Sequence, residues 1–223
     1  AFTSARVMAT GAVGGQAAGT AAAMCLQKGL SPRQLAQNPK LVTALQQRLL
    51  RDDQSIKNVP GADPADLARS AKVTASNEIG EAKAALVLDG VPRDIPGKGI
   101  HHWEAQLPAE GAWIELRWDK PQRTSELQIA FDSGFQRELT LTSSDSINRG
   151  IVRAAQPETV RDYAVQVRKP GAADWTTVET VKGNHQRLRR HKWPETEIEA
   201  LRVHVTATNG SDSVRVFELR CYA

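Results

Sequence analysis

Cysteine is nearly missing from this sequence: of 223 residues only Cys25 and Cys221 carry a thiol, and they sit at opposite ends of the chain. Two cysteines so placed exclude a disulfide framework. Long apolar runs are missing too. The best candidate, Ala12 to Leu26, is mostly Ala and Gly with Gln16 and Thr20 inside it. That is too short to span a bilayer and too weakly apolar for the hydrophobic region of a signal peptide. No G-x-G-x-x-G occurs, and no acidic residue precedes Asp52, which excludes the first βαβ unit of a Rossmann fold. The pair His101-His102 points in two directions on a strand and has no third His or Cys at ligand spacing, which argues against zinc. No Ser/His/Asp or Cys/His set stands out, and Glu195, Glu197 and Glu199 read as an exposed alternating face.

What is present is ordinary globular material, 24% charged and 40% hydrophobic. Its charge is unevenly placed. Residues 1–60 hold seven Lys/Arg against Asp52 and Asp53, while the remaining 22 basic and 23 acidic residues nearly cancel. A basic, glycine-rich front end suits an anionic partner such as a cofactor phosphate, or is simply a solvated basic face.

The stretch Ser4 to Cys25 sets the question of function. Gly11, Gly15, Gly19 and Ala23 fall four apart, as do Gly14, Ala18 and Ala22, so a helix here presents two stripes almost without side chains. Each glycine costs roughly 0.5 to 1 kcal/mol in a helix interior, so a close approach by a cofactor, a sheet or another helix has to compensate. The pattern predicts an extended lead over Phe2 to Thr10, a glycine turn over Gly11 to Gly15, and a helix to Lys28 whose positive end faces Gly14, Gly15 and Gln16. Gly29 reads as its C-cap, and Ser31-Pro32-Arg33-Gln34 as the capping box of a short second helix. Asn38-Pro39 opens a third, with Leu41, Val42, Leu45, Leu49 and Leu50 on one face and an end near Asp52. Three helices offer little core of their own and read as a remnant of something larger.

Residues 53–66 carry two prolines, a glycine and no apolar period. The helical segment is accordingly assigned to 1–58, a linker to 59–66 and a second domain to 67–223. In that domain AKVTAS, WIELRW, TSELQIAF, RDYAVQVRK, DWTTVETV, ALRVHVTAT and VRVFELRCY alternate and are parted by turn residues. They predict an antiparallel β-sandwich. In WIELRW, Trp113, Glu115 and Arg117 should be wet and Ile114, Leu116 and Trp118 buried.

The ordered motifs Val73 to Ser76, Ala85 to Gly90 (ALVLDG), Trp103, Trp113 to Leu116, Tyr163 to Val167, Trp175, Leu201 to Val205 and Phe217 to Tyr222 resemble the discoidin, or coagulation-factor C-type, galactose-binding-like jelly rolls over about 155 residues. The resemblance implies a core role for Trp103, chain ends that lie close together, a calcium ion held by Asp89 and Glu218, and carbohydrate as a partner. Trp175 beside Asp174 is the nearest thing to a named sugar contact. The sequence departs from this group in an insertion, Gly134 to Gln156, and in GNHQRLRRHKW. There Arg187, Arg189, Arg190, His191 and Lys192 form the densest basic run, but the near-neutral domain argues against nucleic acid.

The opening, S-R-V-M-A-T…G-Q-A-A-G-T-A-A-A, resembles the last FAD-contacting segment of a family of bacterial FAD-dependent oxidoreductases over residues 4 to about 51. The resemblance implicates Arg6, Met8, Gly14, Gly15, Gln16 and Ala17 in flavin contact. It makes the remainder of the FAD-binding domain the chain's partner, since the ADP-binding unit has no counterpart here. The expectation is thus a mainly β protein: a discoidin-like jelly-roll β-sandwich preceded by a small α-helical remnant of an FAD-binding domain. It should not hold FAD tightly by itself, and a periplasmic or secreted bacterial location is one of those open to it.

Overall fold

In the computed structural model, residues 8–137, 139 and 141–223 are described. The chain divides into two compact units, Ala1–Asp63 and Pro64–Ala223.

Among the described residues the first unit holds three α-helices: α1 (Met8–Lys28), α2 (Pro32–Ala36) and α3 (Pro39–Arg51). Gly29 ends α1 at φ 64°, with Leu30 N–H donating to the Cys25 carbonyl at 2.9 Å and Gly29 N–H to that of Leu26 at 3.4 Å. This is a Schellman cap, and it needs a residue without Cβ at Gly29. Ser31 and Gln34 form the reciprocal capping box of α2, and the Asn38 side chain caps α3 through Lys40 and Leu41 N–H. The core is small: Met24, Cys25 and Leu35, with Ala21, Leu41 and Leu45 packed on them. One expectation fails. Thr10 to Gly15 lie inside α1, and none of Gly11, Gly14 or Gly15 takes a positive φ. Flanking alanines carry the helix through them, so no glycine turn forms. The expected extended lead lies outside the described residues for Phe2 to Val7.

The second unit is antiparallel β. Its strands are β1 (Lys72–Ala75), β2 (Trp103–Gln106), β3 (Ala112–Phe131), β4 (Val160–Arg168), β5 (Thr176–Val181), β6 (Leu188–Thr208) and β7 (Ser213–Tyr222). They run in the order β2-β7-β3-β6-β4-β5, with β1 also on β3. WIELRW and TSELQIAF are not two strands but one, β3, which loses its register with β6 between Arg117 and Gln122, around Pro121. The first half of β3 pairs with β1 and the end of β6; its second half pairs with β7 and the start of β6. Long bent strands thereby belong to both layers of the sandwich. The departing segment GNHQRLRRHKW supplies the first half of β6, and the insertion carries only a short helix, α4 (Asp145–Gly150).

One core fills the space between the layers, drawing Ile114, Leu116, Val165, Val203 and Val205 from one and Trp103, Leu127, Ile129, Val214 and Val216 from the other. Trp103 is fully buried, and its indole N–H donates to the Asn77 carbonyl at 2.9 Å. The start and end of the unit meet at Asp66, whose Oδ1 accepts from Ala68 N–H at 3.0 Å and from Cys221 N–H at 2.9 Å. Both cysteines are free and buried. Among the described residues no helix is long and apolar enough to cross a membrane.

Candidate functional site

Three places in the molecule gather chemistry. The first is the face of α1. Among the described residues, a Cβ added at Gly11, Gly14, Gly15 or Gly19 meets no atom within 4 Å, so the stripe is open. Val13 and Leu26 are exposed beside it, at 51% and 85%. Of the expected flavin contacts, Gly14, Gly15, Gln16 and Ala17 lie in the helix interior, where their N–H groups belong to the α-helical ladder. The positive end of the helix dipole therefore lies ahead of Gly14, not at Gly14 to Gln16. Gln16 is partly committed: its Oε1 accepts from Gln54 Nε2 at 2.8 Å, and the same Nε2 donates to the Val13 carbonyl at 3.0 Å. Arg6 lies outside the described residues. These residues fit a flat group lying on bare backbone, making van der Waals contact rather than hydrogen bonds.

The second place is the loop end around Asp89. Asp89 Oδ1 accepts from Val91 N–H at 2.7 Å, and its Oδ2 pairs with His101 Nδ1 at 2.7 Å. Asp94 Oδ1 accepts from His101 N–H at 2.7 Å and meets His102 Nδ1 at 3.0 Å. Arg215 bridges Glu104 at 2.9 Å and Asp132 at 3.3 Å. Against the upward push of burial, the Ser213 hydroxyl and this guanidinium hold the Glu104 carboxyl below its ordinary range. Glu218 is buried, and its Oε1 accepts from Arg220 Nη2 at 2.8 Å.

Calcium does not suit this donor set. The Asp89 and Glu218 carboxylates are engaged by an imidazole and a guanidinium, and among the described residues no three His, Cys, Asp or Glu gather as a metal site. The loop carbonyls are also taken. Arg187 donates to the Phe131 carbonyl at 2.6 Å and to that of Pro92, and stacks on Phe135 and Phe217 at 4.9 and 5.1 Å. A fixed organic cation thus ties together loops that a hard ion would otherwise tie. The rest of the basic run is spent similarly: Arg189 donates to Asn184, Arg190 to Gln128, Lys192 pairs with Glu126, and His191 is buried against Tyr163.

The third place lies on the wet face of the layer β1, β3, β6, β4 and β5. Trp113 and Arg117 are on the wet side of β3, as the alternation predicts, and Ile114, Leu116 and Trp118 are buried; Glu115, expected to be wet, is buried between Trp113 and Arg117, where it is paired with Arg202 and Arg168. Register sets Glu115 beside Arg202 on β6, and Arg202 beside Gln166 on β4. The Arg202 guanidinium lies 4.4 Å from the Trp113 ring centroid and 4.2 Å from that of Trp175, and Arg168 stacks on Trp175 at 4.9 Å. Glu115 accepts from Arg202 at 2.8 Å and lies 3.8 Å from Arg168. Glu199 accepts from Arg168 at 2.9 Å and from Gly171 N–H at 3.3 Å; that N–H, with Arg168, holds its carboxyl below the usual range. Sequence reasoning singled out Trp175 but missed Arg202, Arg168 and Glu115. The W-x-E-x-R alternation exposes half of this cluster; the other half appears only once β6 is in register.

Comparison with known proteins bears on both units. The family model described as a domain of unknown function, DUF7402, matches residues 66–215. The chain belongs to the DUF7402 family. Ahead of the DUF7402 region, the family model for FAD dependent oxidoreductases matches residues 1–49. No curated protein matches the chain. Among solved structures the DUF7402 sandwich is similar to chitosan-binding module 1 from the chitosanase/glucanase of Paenibacillus sp. IK-5, at 17% identity over 71% of this chain and 98% of the module, TM-score 0.52. It is similar to a Clostridium perfringens module, CpGH89CBM32-5, in complex with GalNAc-β-1,3-galactose, at 15% identity over 71% and 99% of the two chains, TM-score 0.52. The family 32 carbohydrate-binding module of Streptococcus pneumoniae EndoD resembles it at 14% identity over 70% and 98%, TM-score 0.51. These likenesses show the discoidin-like fold of the DUF7402 unit.

Proposed function

We propose that this chain is the C-terminal part of an FAD-dependent oxidoreductase, and that its DUF7402 sandwich is an accessory carbohydrate-binding module. The observation that carries the first half is the coincidence, on residues 1–49, of the FAD oxidoreductase family match with a helix face left open at Gly11, Gly14, Gly15 and Gly19. FAD, when bound, supplies hydride-transfer chemistry. This chain's part is to bind and orient. The small residues of α1 let the ligand reach the backbone. The remainder of the FAD-binding domain holds the nucleotide half.

The second half is supported by the kind of fold and by the sandwich's surface. Modules of similar structure are named for chitosan or are seen with GalNAc-β-1,3-galactose. Here Trp113 on β3 and Trp175, just ahead of β5, stay partly exposed beside arginines. Aromatic rings flanked by a few polar groups are what sugar recognition requires.

The test of the flavin reading is flavin content after purification. The chain expressed behind the preceding part of its oxidoreductase should retain about one flavin per polypeptide, and deletion of residues 1–58 from that polypeptide should lose most of it. Full retention after the deletion, or a stoichiometric flavin spectrum from the present chain alone, would overturn the assignment.

A further inference from the structure

We infer that the outer face of the β1, β3, β6, β4, β5 layer is a glycan-binding platform built on Trp113 and Trp175, and that it takes a neutral pyranose chain. The inference rests on the carbohydrate-binding reading of the sandwich and gives that reading a place and a ligand class.

The tryptophans fall into two sets. Trp103, Trp118 and Trp193 are buried in the core, and the first two donate their indole N–H to the Asn77 and Leu67 carbonyls. Trp113 and Trp175 lie half-buried on the wet side, and among the described residues no group accepts their indole N–H. Large aromatics on a solvated sheet face are costly to expose and call for an explanation. Here they are also held together. With Arg202 stacked 4.4 Å from one ring centroid and 4.2 Å from the other, the two indoles share one small patch. Glu115 fixes the guanidinium between them, and Arg168 braces Trp175 from β4. The rings are thus set in place before any ligand arrives, which lowers the entropy cost of binding.

Charge decides the ligand class. The guanidiniums of Arg202 and Arg168 are paired with Glu115, and those of Arg168 and Arg117 with Glu199. Three guanidiniums thus share two carboxylates, a net charge of +1, but each lies within 4.0 Å of a carboxylate, so none stands unpaired to face a sugar carboxylate or sulfate. What it offers is the ring surface that Arg202 and Arg168 leave uncovered, for sugar C–H groups, two free indole N–H donors, and polar side chains alongside. These are Gln166 and Thr177, which meet at 3.5 Å, and His204, which stands opposite Trp113. A chain of uncharged pyranoses matches that inventory.

Native gel electrophoresis of the full chain tests this, with the gel cast without polysaccharide or with xyloglucan, galactomannan, hydroxyethylcellulose or polygalacturonate. At least one neutral polysaccharide should retard the wild type. Trp113→Ala and Trp175→Ala should weaken that binding about tenfold or more, and Trp113→Phe and Trp175→Phe should recover part of it. Thr177→Lys adds bulk over the patch without removing a ring, so it should also weaken binding and covers the case in which an alanine variant does not fold. Phe135→Ala, at the loop end, should bind as wild type. Retardation that is lost in Phe135→Ala but kept in the tryptophan and Thr177 variants would overturn the platform and leave the carbohydrate reading standing. Retardation by polygalacturonate alone would overturn the ligand class, and no retardation in any gel would overturn inference and reading together.

Discussion

Acid should weaken the sandwich before most of its carboxylates titrate, because of His191. Its Nε2 meets the Tyr163 hydroxyl at 2.8 Å in the interior, with the rings edge to face at 5.6 Å. Burial drives the imidazole from its ordinary 6.5 down to about 4, with Arg189 adding to the effect and Glu179 opposing it. Burial likewise pushes the Tyr163 phenol up, so the hydroxyl donates to a neutral ring nitrogen. Above pH 6.5 the imidazole is neutral in folded and unfolded chain alike and imposes no penalty. As pH falls from there toward about 4, the unfolded chain takes up a proton that the folded protein refuses, so stability drops through that window. A shift of this size corresponds in full to about 3 kcal/mol, of which roughly 2 are expressed by about pH 4.5. Urea denaturation of the full chain, followed by tryptophan fluorescence at about pH 7 and about pH 4.5, measures it. His191→Phe should lose about 1 kcal/mol near neutrality, since the Tyr163 hydroxyl is left without its partner, but should show a flatter pH dependence. Equal pH slopes in wild type and variant would refute the reasoning.

Other substitutions test particular joints. Gly111 has φ 90°, and a Cβ there would stand 2.6 Å from both His204 Nε2 and the Val205 carbonyl, so Gly111→Ala should cost at least about 2 kcal/mol in a thermal or urea melt. Arg187→Ala removes a cation that joins the Phe131 and Pro92 carbonyls and should lower Tm by several degrees. Calcium or a chelator should leave the wild-type Tm where it is, and a Tm raised by calcium would contradict the stated fit. Ser31→Ala breaks the capping box of α2 and should cost about 1 kcal/mol, seen as faster amide exchange in α2.

How far the sequence carried can be judged residue by residue. The caps at Gly29, Ser31 and Asn38 were legible because each depends on local chemistry alone. Alternation exposed β1, β4, β5, β7 and the wet and dry faces of β3, for the same reason. The first half of β6 was hidden by its charges. Arg190 and Lys192 face water while His191 and Trp193 between them are buried, so a strand looked like a basic run. Pro121 suggested a break in β3 that is only a gap in its pairing. The glycines of α1 suggested a turn, although flanking alanines keep the helix intact. Beyond local pattern, long-range partners were out of reach. ALVLDG suggests a calcium loop, and nothing near it in sequence shows that Arg187, far downstream, holds the Pro92 carbonyl. The stack of Trp113, Arg202 and Trp175 joins three separate segments and becomes visible only with the register.

The central claim is that the bare face of α1 exists to meet a flavin, and Gly15→Leu tests it most directly. Among the described residues no atom lies within 4 Å of a Cβ at Gly15, and leucine is the better helix former, so the substitution should leave α1 folded or stabilise it by up to about 1 kcal/mol. In the longer polypeptide that includes the rest of the FAD-binding domain, the same side chain would fill the flavin's approach. The measurement is flavin absorbance per polypeptide, wild type against Gly15→Leu, with helix content checked by circular dichroism. The account predicts unchanged helicity and a flavin content reduced at least about tenfold. Full flavin content in the Gly15→Leu polypeptide would contradict it.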